Sequence, residues 1–64
     1  MALGDNIKKH RKAKKLTQGE LGEKVGVSAM MISFIENGEK IPSLATAKRI
    51  SQTLEVSLDE LVNY

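Results

Sequence analysis

The side chains best suited to chemistry in this chain are cations that cluster near its start. Residues 8–15 hold six of the ten lysines and arginines, in a chain whose net charge is +2. Clusters of this kind attract phosphate groups and can form an electrostatic footprint for a polyanion. The same charges would equally suit the solvated face of a helix. The cluster alone therefore leaves a phosphate-binding surface and a plain solvated face as equal interpretations.

Catalytic chemistry finds little support in the sequence. His10 is the one histidine; it lies among lysines, without a carboxylate cluster nearby, and the chain has no cysteine that could pair with it. The glycines fall at turns or inside one short helical pattern and form no phosphate-cradling loop, and no metal-ligand spacing occurs. We expect no enzyme activity, no catalytic residue, no metal, no cofactor and no small-molecule ligand.

Length and composition limit the class of protein. The 64 residues make one small domain, which we assign to 1–64. A chain this short buries only about 60% of its unfolded surface, so well-packed helices or oligomerisation must supply its stability. No apolar run is long enough to span a membrane or to serve as the core of a signal peptide. An intracellular, cytoplasmic protein is the expectation.

The apolar periodicity predicts an all-α domain, because no stretch alternates apolar and polar residues as a strand does. The expected helices are 4–15, 18–25, 29–37, 43–54 and 58–63. Their expected N-terminal capping residues are Asp5, Thr17, Ser28, Ser43 and Ser57. The stripes expected to face the core contain Ile7, Leu21, Val25, Ile32, Ile35, Leu44, Ala47, Ile50 and Leu54.

Residues 17–37 form the most informative unit of this pattern. Two short helices, each with its own capping residue, are joined by a turn at Gly26, where we expect a positive φ angle. Two helices that meet at a steep angle across a turn of this length make a helix-turn-helix arrangement. The second helix of such a unit can lie in the major groove of DNA.

The chain as a whole resembles the Cro/repressor-type (XRE-like) helix-turn-helix domains of phage and bacterial regulators. The matching pieces are Ile7 and Arg11, LTQ at 16–18, Gly22, VGVS at 25–28, Ile32, IENG at 35–38, PSL at 42–44 and LEVSLDEL at 54–61. The resemblance implies a five-helix, lambda-repressor-like fold and a sequence-specific transcriptional regulator that binds double-stranded DNA, most simply as a repressor. Such a domain can stand alone or form the N-terminal part of a longer regulator.

Two glycines fall in the second helix. Gly22 lies where this helix is expected to press most closely on the third, at a position where the family usually has alanine. Gly19 departs further from a helix-forming composition, and each glycine costs about 1 kcal/mol relative to alanine. We expect the second helix to be only marginally stable alone.

The resemblance also implies contacts with the DNA backbone. Gln18 begins the second helix, whose N-terminus favours an anion, and its side chain and N–H are expected to bind a phosphate. The other expected phosphate contacts are Thr17, Ser28, Asn37, Lys40 and Arg11. Some of these residues have plainer interpretations, because Thr17 and Ser28 are also caps and Asn37 also ends a helix. For Arg11 the favoured interpretation is a structural ion pair with Glu36.

The face that should touch bases is unusually apolar. By resemblance the groove-facing residues are Ala29, Met30, Ser33 and Phe34. Bidentate reading of guanine or adenine requires Arg, Lys, Asn or Gln, whereas apolar side chains can contact the methyl group of thymine. We therefore expect A·T base pairs in each half-site, with DNA shape adding specificity. The alternative is a protein-interaction module, or an antitoxin-like regulator, that uses Met30 and Phe34 on a protein partner.

Members of this family usually bind pseudo-palindromic operators as two-fold homodimers. The pairing surface expected here lies at the C-terminus and contains Leu58, Leu61, Val62 and Tyr64. A core role is the stronger interpretation for Leu58 and Leu61, so Val62 and Tyr64 are the better candidates for the interface.

Overall fold

Five α-helices follow one another along residues 3–62, the part of the chain that the computed structural model describes, and no strand occurs among them. They are α1 (Leu3–Ala13), α2 (Gln18–Val25), α3 (Ala29–Glu36), α4 (Leu44–Leu54) and α5 (Leu58–Val62). The predicted all-α architecture is confirmed. Within this range no helix is both long enough and apolar enough to cross a bilayer.

Side-chain caps start four of the helices, as predicted. The hydroxyl oxygens of Thr17, Ser28, Ser43 and Ser57 accept hydrogen bonds from the N–H groups three residues later, at 3.0, 3.0, 3.2 and 3.1 Å. Asp5 was expected to cap α1, and this prediction is wrong, because α1 already includes Leu3 and Asp5 lies in its first turn. The Asp5 carboxylate there still suits the positive end of the helix dipole.

The first helix ends two residues earlier than predicted, at Ala13. Lys14 and Lys15 form a turn in which Lys15 has a φ angle of 60° and the Leu16 N–H donates to the Arg11 carbonyl at 3.1 Å. Lysine seldom adopts this left-handed conformation. A glycine or asparagine at this position would have predicted the end of the helix. The sequence therefore carried no signal for the end of α1.

The core lies where the helices converge. Its side chains are at most 2% exposed and belong to Ile7, Leu21, Val25, Ile32, Ile35, Ile50, Leu54 and Leu61. Leu44 was expected among them, and this prediction is wrong, because Leu44 is 67% exposed. It is the first residue of α4 and lies about 9 Å along the helix axis from Ile50, so its side chain projects beyond the packed layer.

Two glycines let helices approach more closely than any other residue would. A methyl group on Gly22 would lie 2.5 Å from the Val27 carbonyl oxygen, so the close contact expected between α2 and α3 falls on the turn that leads into α3. A methyl group on Gly4 would lie 2.5 Å from the carbonyl oxygens of both Ile35 and Glu36. The start of α1 therefore packs directly on the backbone at the end of α3, which the sequence analysis did not anticipate.

A side-chain amide fastens the last helix to the first. Asn6 donates from Nδ2 to the carbonyl oxygens of Glu60 at 3.2 Å and Leu61 at 2.9 Å. These carbonyls belong to the last turn of α5, where a helix has no partners of its own for its C=O groups. Asn6 thus stabilises a five-residue helix that would be too short to persist alone.

The close approach of α1 to α3 predicts opposite effects for two substitutions to alanine. Gly4→Ala should lower the free energy of unfolding by about 1–3 kcal/mol, since the new methyl group meets backbone oxygens. Gly19→Ala should raise it by roughly 0.5–1 kcal/mol, because a methyl group there has only Thr17 Oγ1 at 3.8 Å and the Ala29 side chain at 3.9 Å nearby. Urea unfolding of both variants measures the difference, and a Gly4→Ala protein as stable as the wild type would contradict the packing described.

Candidate nucleic-acid interface

The N-terminus of α2 is built to leave two N–H groups available. Thr17 and Glu20 form the predicted capping box, in which the Thr17 N–H donates to Glu20 Oε1 at 2.8 Å and the Thr17 hydroxyl accepts from the Glu20 N–H. The Leu21 N–H makes the first bond of the helix, to the Thr17 carbonyl at 2.9 Å. By helix geometry the N–H groups of Gln18 and Gly19 precede these bonds. Such a helix end attracts an anion.

The turn between α2 and α3 is stabilised by hydrogen bonds to the end of α2 and by the cap of α3. Gly26 has a φ angle of 84°, as predicted, and the N–H groups of Gly26 and Val27 both donate to the Gly22 carbonyl, at 2.8 and 2.9 Å. Ser28 then caps α3. These hydrogen bonds and the close contact at Gly22 together set the angle between α2 and α3.

The two faces of α3 separate as expected. Ile32 and Ile35 are buried, and Met31 packs on the flank of the core. On the outer side Met30 is 66% exposed and Ala29 is also exposed. Ser33 and Phe34 are half-buried, so the exposed surface is narrower than the helical pattern alone suggested.

Arg11 and Glu36 form the predicted ion pair, and this pair is buried. Arg11 Nε donates to Glu36 Oε2 at 2.6 Å and Nη2 to Oε1 at 3.2 Å, while Nη1 donates to the Leu16 carbonyl at 2.7 Å. The two residues are 7% and 6% exposed. A guanidinium so enclosed has little surface left for a phosphate, which favours the structural role of Arg11 over the expected phosphate contact.

Gln18 extends this network through a contact that was not predicted. Its side-chain nitrogen Nε2 donates to Glu36 Oε1 at 3.1 Å, so the Glu36 carboxylate accepts from three groups on two other parts of the chain. The amide of Gln18 is consequently oriented before any ligand arrives. No spacing in the sequence predicts this contact, because Gln18 and Glu36 meet only when α2 and α3 are packed.

The loop after α3 lies against the end of that helix. Gly38 has a φ angle of 79°, and the Glu39 and Lys40 N–H groups both donate to the Phe34 carbonyl, at 2.8 and 3.2 Å. The Lys40 ammonium lies 6.0 Å from the centre of the Phe34 ring. Asn37 is the C-cap of α3 and is exposed. The loop therefore presents Asn37 and Lys40 near the helix that carries Met30.

The basic cluster is largely exposed but partly engaged. Five of its lysines, at positions 8, 9, 12, 14 and 15, are exposed, while His10 is half-buried. Lys14 forms an ion pair with Glu55. The hydrogen bond from Lys14 and then its charge lower the pKa of the exposed Glu55 carboxyl, against a small opposing effect of desolvation. Lys14 is thus partly neutralised within the domain, and the remaining lysines keep the positive field.

The surface expected to pair two copies is smaller than predicted. Leu61 is completely buried and belongs to the core, Leu58 is half-buried, and Val62 is 38% exposed. Tyr64 lies outside the described residues. Two apolar side chains that the sequence analysis did not assign to a surface, Ile41 at 83% and Leu44 at 67%, are far more exposed.

Known helix-turn-helix proteins are similar to this chain over most of its length. A helix-turn-helix family model matches residues 7–61. The uncharacterized HTH-type transcriptional regulator YqaE of Bacillus subtilis (strain 168) is 41% identical over 60 residues, which are 94% of this chain and 52% of YqaE. The chain spans about half the length of the curated relatives that it matches first.

Solved structures show the same fold. The P22 c2 repressor protein, in complex with synthetic operator 9T, superimposes with a TM-score of 0.92 at 36% identity, over 95% of this chain and 92% of that one. SinR in the SinR/SinI complex superimposes with a TM-score of 0.89 at 35% identity, over 95% of this chain and 60% of that one.

The buried ion pair predicts an asymmetry between two charge-neutralising variants. Glu36→Gln leaves the enclosed Arg11 charge without its counter-ion and should cost about 3 kcal/mol of unfolding free energy. Glu55→Gln removes an exposed pair of the same charge type and should shift the urea midpoint far less, since solvent screens that pair. Parallel urea titrations compare them, and equal shifts would show that the buried pair does not organise the fold.

Proposed function

Because the chain belongs to the Cro/repressor-type helix-turn-helix family, we propose that it is a sequence-specific DNA-binding transcriptional repressor, with α3 in the major groove. The observation that carries the proposal is the network that locks Gln18 to Glu36. It fixes the free N-terminus of α2 beside α3, while the Met30 side of α3 stays exposed. A phosphate-binding helix end and an open groove-facing helix are then parts of one rigid body. We assign no catalytic role to any residue. The protein would be bacterial or phage-encoded and would act on DNA in the cytoplasm.

In this proposal the phosphate grip comes from both ends of the helix-turn-helix unit. At one end the N–H groups and side chain of Gln18 contact a phosphate, with the Thr17 and Ser28 caps nearby. At the other end Asn37 and Lys40 in the loop contact the backbone. Such contacts fix the register of the protein on DNA without reading sequence.

Base reading falls to the outer face of α3. Met30 is 66% exposed, and its thioether side chain can contact thymine methyl groups. Ala29 lies beside it, and the Ser33 hydroxyl can serve as donor or acceptor. Phe34 is half-buried and has less surface to offer. A preference for A·T base pairs, sharpened by DNA shape, is the expected specificity.

A homodimer on a pseudo-palindromic operator completes the proposal. Half-sites about 34 Å apart place the two recognition helices in successive major grooves on one face of the duplex. The pairing surface that we propose is the C-terminal one, for which Val62 is the candidate among the described residues and Tyr64 the candidate outside them.

A protein partner is the second candidate for the exposed apolar surface. Met30, Ile41 and Leu44 are each more than 60% exposed, and apolar groups of this size suit a protein contact. The similar SinR protein occurs in a complex with the SinI protein. An antitoxin-like regulator that uses the Met30 and Phe34 face on a protein would follow the same logic.

A salt titration separates these two functions. Affinity for a duplex selected by the protein from a random pool should fall steeply with salt, with a slope of log Kd against log salt of about 0.9 per neutralised phosphate. Protein recognition through Met30 predicts neither DNA binding at low salt nor this slope, so a flat titration would rule out the proposed function.

The phosphate role of Gln18 predicts a uniform loss. Gln18→Ala should weaken binding to the selected duplex and to unrelated duplexes by the same factor, because a backbone contact carries no sequence information. Gln52→Ala, which changes an exposed glutamine on α4, is the matched control and should leave both affinities unchanged. A loss confined to the selected duplex would instead assign base reading to Gln18.

The proposed pairing surface predicts the position at which a new negative charge disrupts the dimer. Val62→Asp should lower the dimer fraction in sedimentation equilibrium and weaken operator binding, since it places a carboxylate in an apolar contact. Ile41→Asp should leave the dimer intact. The reverse result would move the pairing surface to the side that carries Ile41 and Leu44.

A further inference from the structure

The chain leaves α3 through a turn that folds the following loop back onto Phe34. The Gly38 N–H donates to the Ile35 carbonyl at 3.1 Å and the Glu39 N–H to the Phe34 carbonyl at 2.8 Å. With Gly38 at a φ angle of 79°, these two bonds make a Schellman motif. The Lys40 N–H adds a third bond, to the same Phe34 carbonyl, at 3.2 Å. The backbone of Lys40 is therefore anchored to Phe34.

The side chains of the same two residues also meet. The Lys40 ammonium lies 6.0 Å from the centre of the Phe34 ring, at the outer limit of a cation–π contact. Lys40 is exposed, and Phe34 is half-buried. Phe34 thus restrains Lys40 at both ends, through its carbonyl oxygen at the backbone and through its ring at the ammonium.

This contact orients the charge of Lys40 without neutralising it. Among residues 3–62 the ion pairs are those of Arg11 with Glu36 and of Lys14 with Glu55. An aromatic ring attracts a cation through its quadrupole and carries no net charge. The ammonium of Lys40 is held in one region and keeps its full charge for an external anion.

We infer that Phe34 is a positioning residue, which holds Lys40 beside the groove to contact a DNA phosphate, and that it does not read a base. The inference rests on the DNA-binding function proposed above and deepens it. The Lys40 ammonium lies over one face of the ring, and Phe34 is already half-buried, so little of the ring is left for a thymine methyl group. Base reading is then left to Ala29, Met30 and Ser33.

The first test needs no DNA. Protons of the Lys40 Cε group near the face of a ring are shifted upfield in the NMR spectrum of the free protein. Phe34→Leu keeps an apolar side chain and removes the ring, so it should return these protons to ordinary values. Phe34→Tyr should retain the shift. A wild-type protein without an upfield shift overturns the inference whatever the outcome with DNA.

The second test is a double-mutant cycle on the selected duplex and on variants of it with single base changes. Lys40→Met should weaken binding and lower the salt slope by about 0.9, the value of one phosphate. Phe34→Leu should weaken binding about two- to fivefold, as a contact of this kind is worth, with the same base preference. The double variant should bind like Lys40→Met alone, because Phe34 acts through Lys40. Thermal unfolding of each variant checks that all are folded at the binding temperature.

Three results distinguish the alternatives. A changed base preference in Phe34→Leu, of the kind that Met30→Ala should produce as a positive control, overturns the inference and makes Phe34 a reader. Additive losses in the cycle overturn it as well. A wild-type protein that binds no DNA overturns the proposed function itself, an outcome that the wild-type titration shows before any variant is compared.

Discussion

The fold and its candidate interface both depend on one buried carboxylate. Glu36 lies at the last position of α3, where it accepts two hydrogen bonds from Arg11 on α1 and one from Gln18 on α2. A charge enclosed to this degree is tolerated only when its partners are in place. The packing of the three helices and the orientation of the Gln18 amide therefore depend on the same carboxylate. Residues 3–62 bury only eight apolar side chains in the core, so this polar contact between three helices helps to specify one arrangement.

Close backbone contacts reinforce that arrangement where side chains cannot. Gly4 lets α1 rest on the carbonyl groups at the end of α3, next to Glu36, and Gly22 lets α2 rest on the turn before α3. Both contacts converge on α3 from opposite ends. The helix that carries the exposed Met30 is consequently held at both ends, although it has only eight residues. Rigid support of a short helix is what a reader of base edges requires, because contacts must be placed within a fraction of an ångström.

Local chemistry made most of the fold predictable, and tertiary contacts account for the rest. Thr17, Ser28 and Gly26 act on neighbours within four residues, so their types and spacing sufficed to place the ends of α2 and the start of α3. The bonds of Asn6 to α5 and of Gln18 to Glu36 join residues far apart in the chain, and polar groups at such distances have no periodicity to reveal them. Leu44 was wrongly predicted to be buried, because the apolar pattern of α4 continues to the start of the helix, which the core does not reach. The ion pair of Arg11 was predictable only through the resemblance to a family.

The side chains of α3 that hold the fold differ from those proposed to face DNA, which explains how its outer face can be so apolar. Ala29 and Met30 are exposed and contribute little to the core, so their identity is free of the constraints that fix Ile32, Ile35 and Glu36 on the same helix. A polar side chain there would be solvated at little cost, whereas an apolar side chain leaves apolar surface exposed that is available for a contact with a partner. Phe34 differs from these two because its ring and carbonyl hold the Lys40 loop. In the proposed function, substitution at Met30 should therefore alter recognition without altering the fold, whereas substitution at Phe34 should affect recognition only through the loop that it restrains.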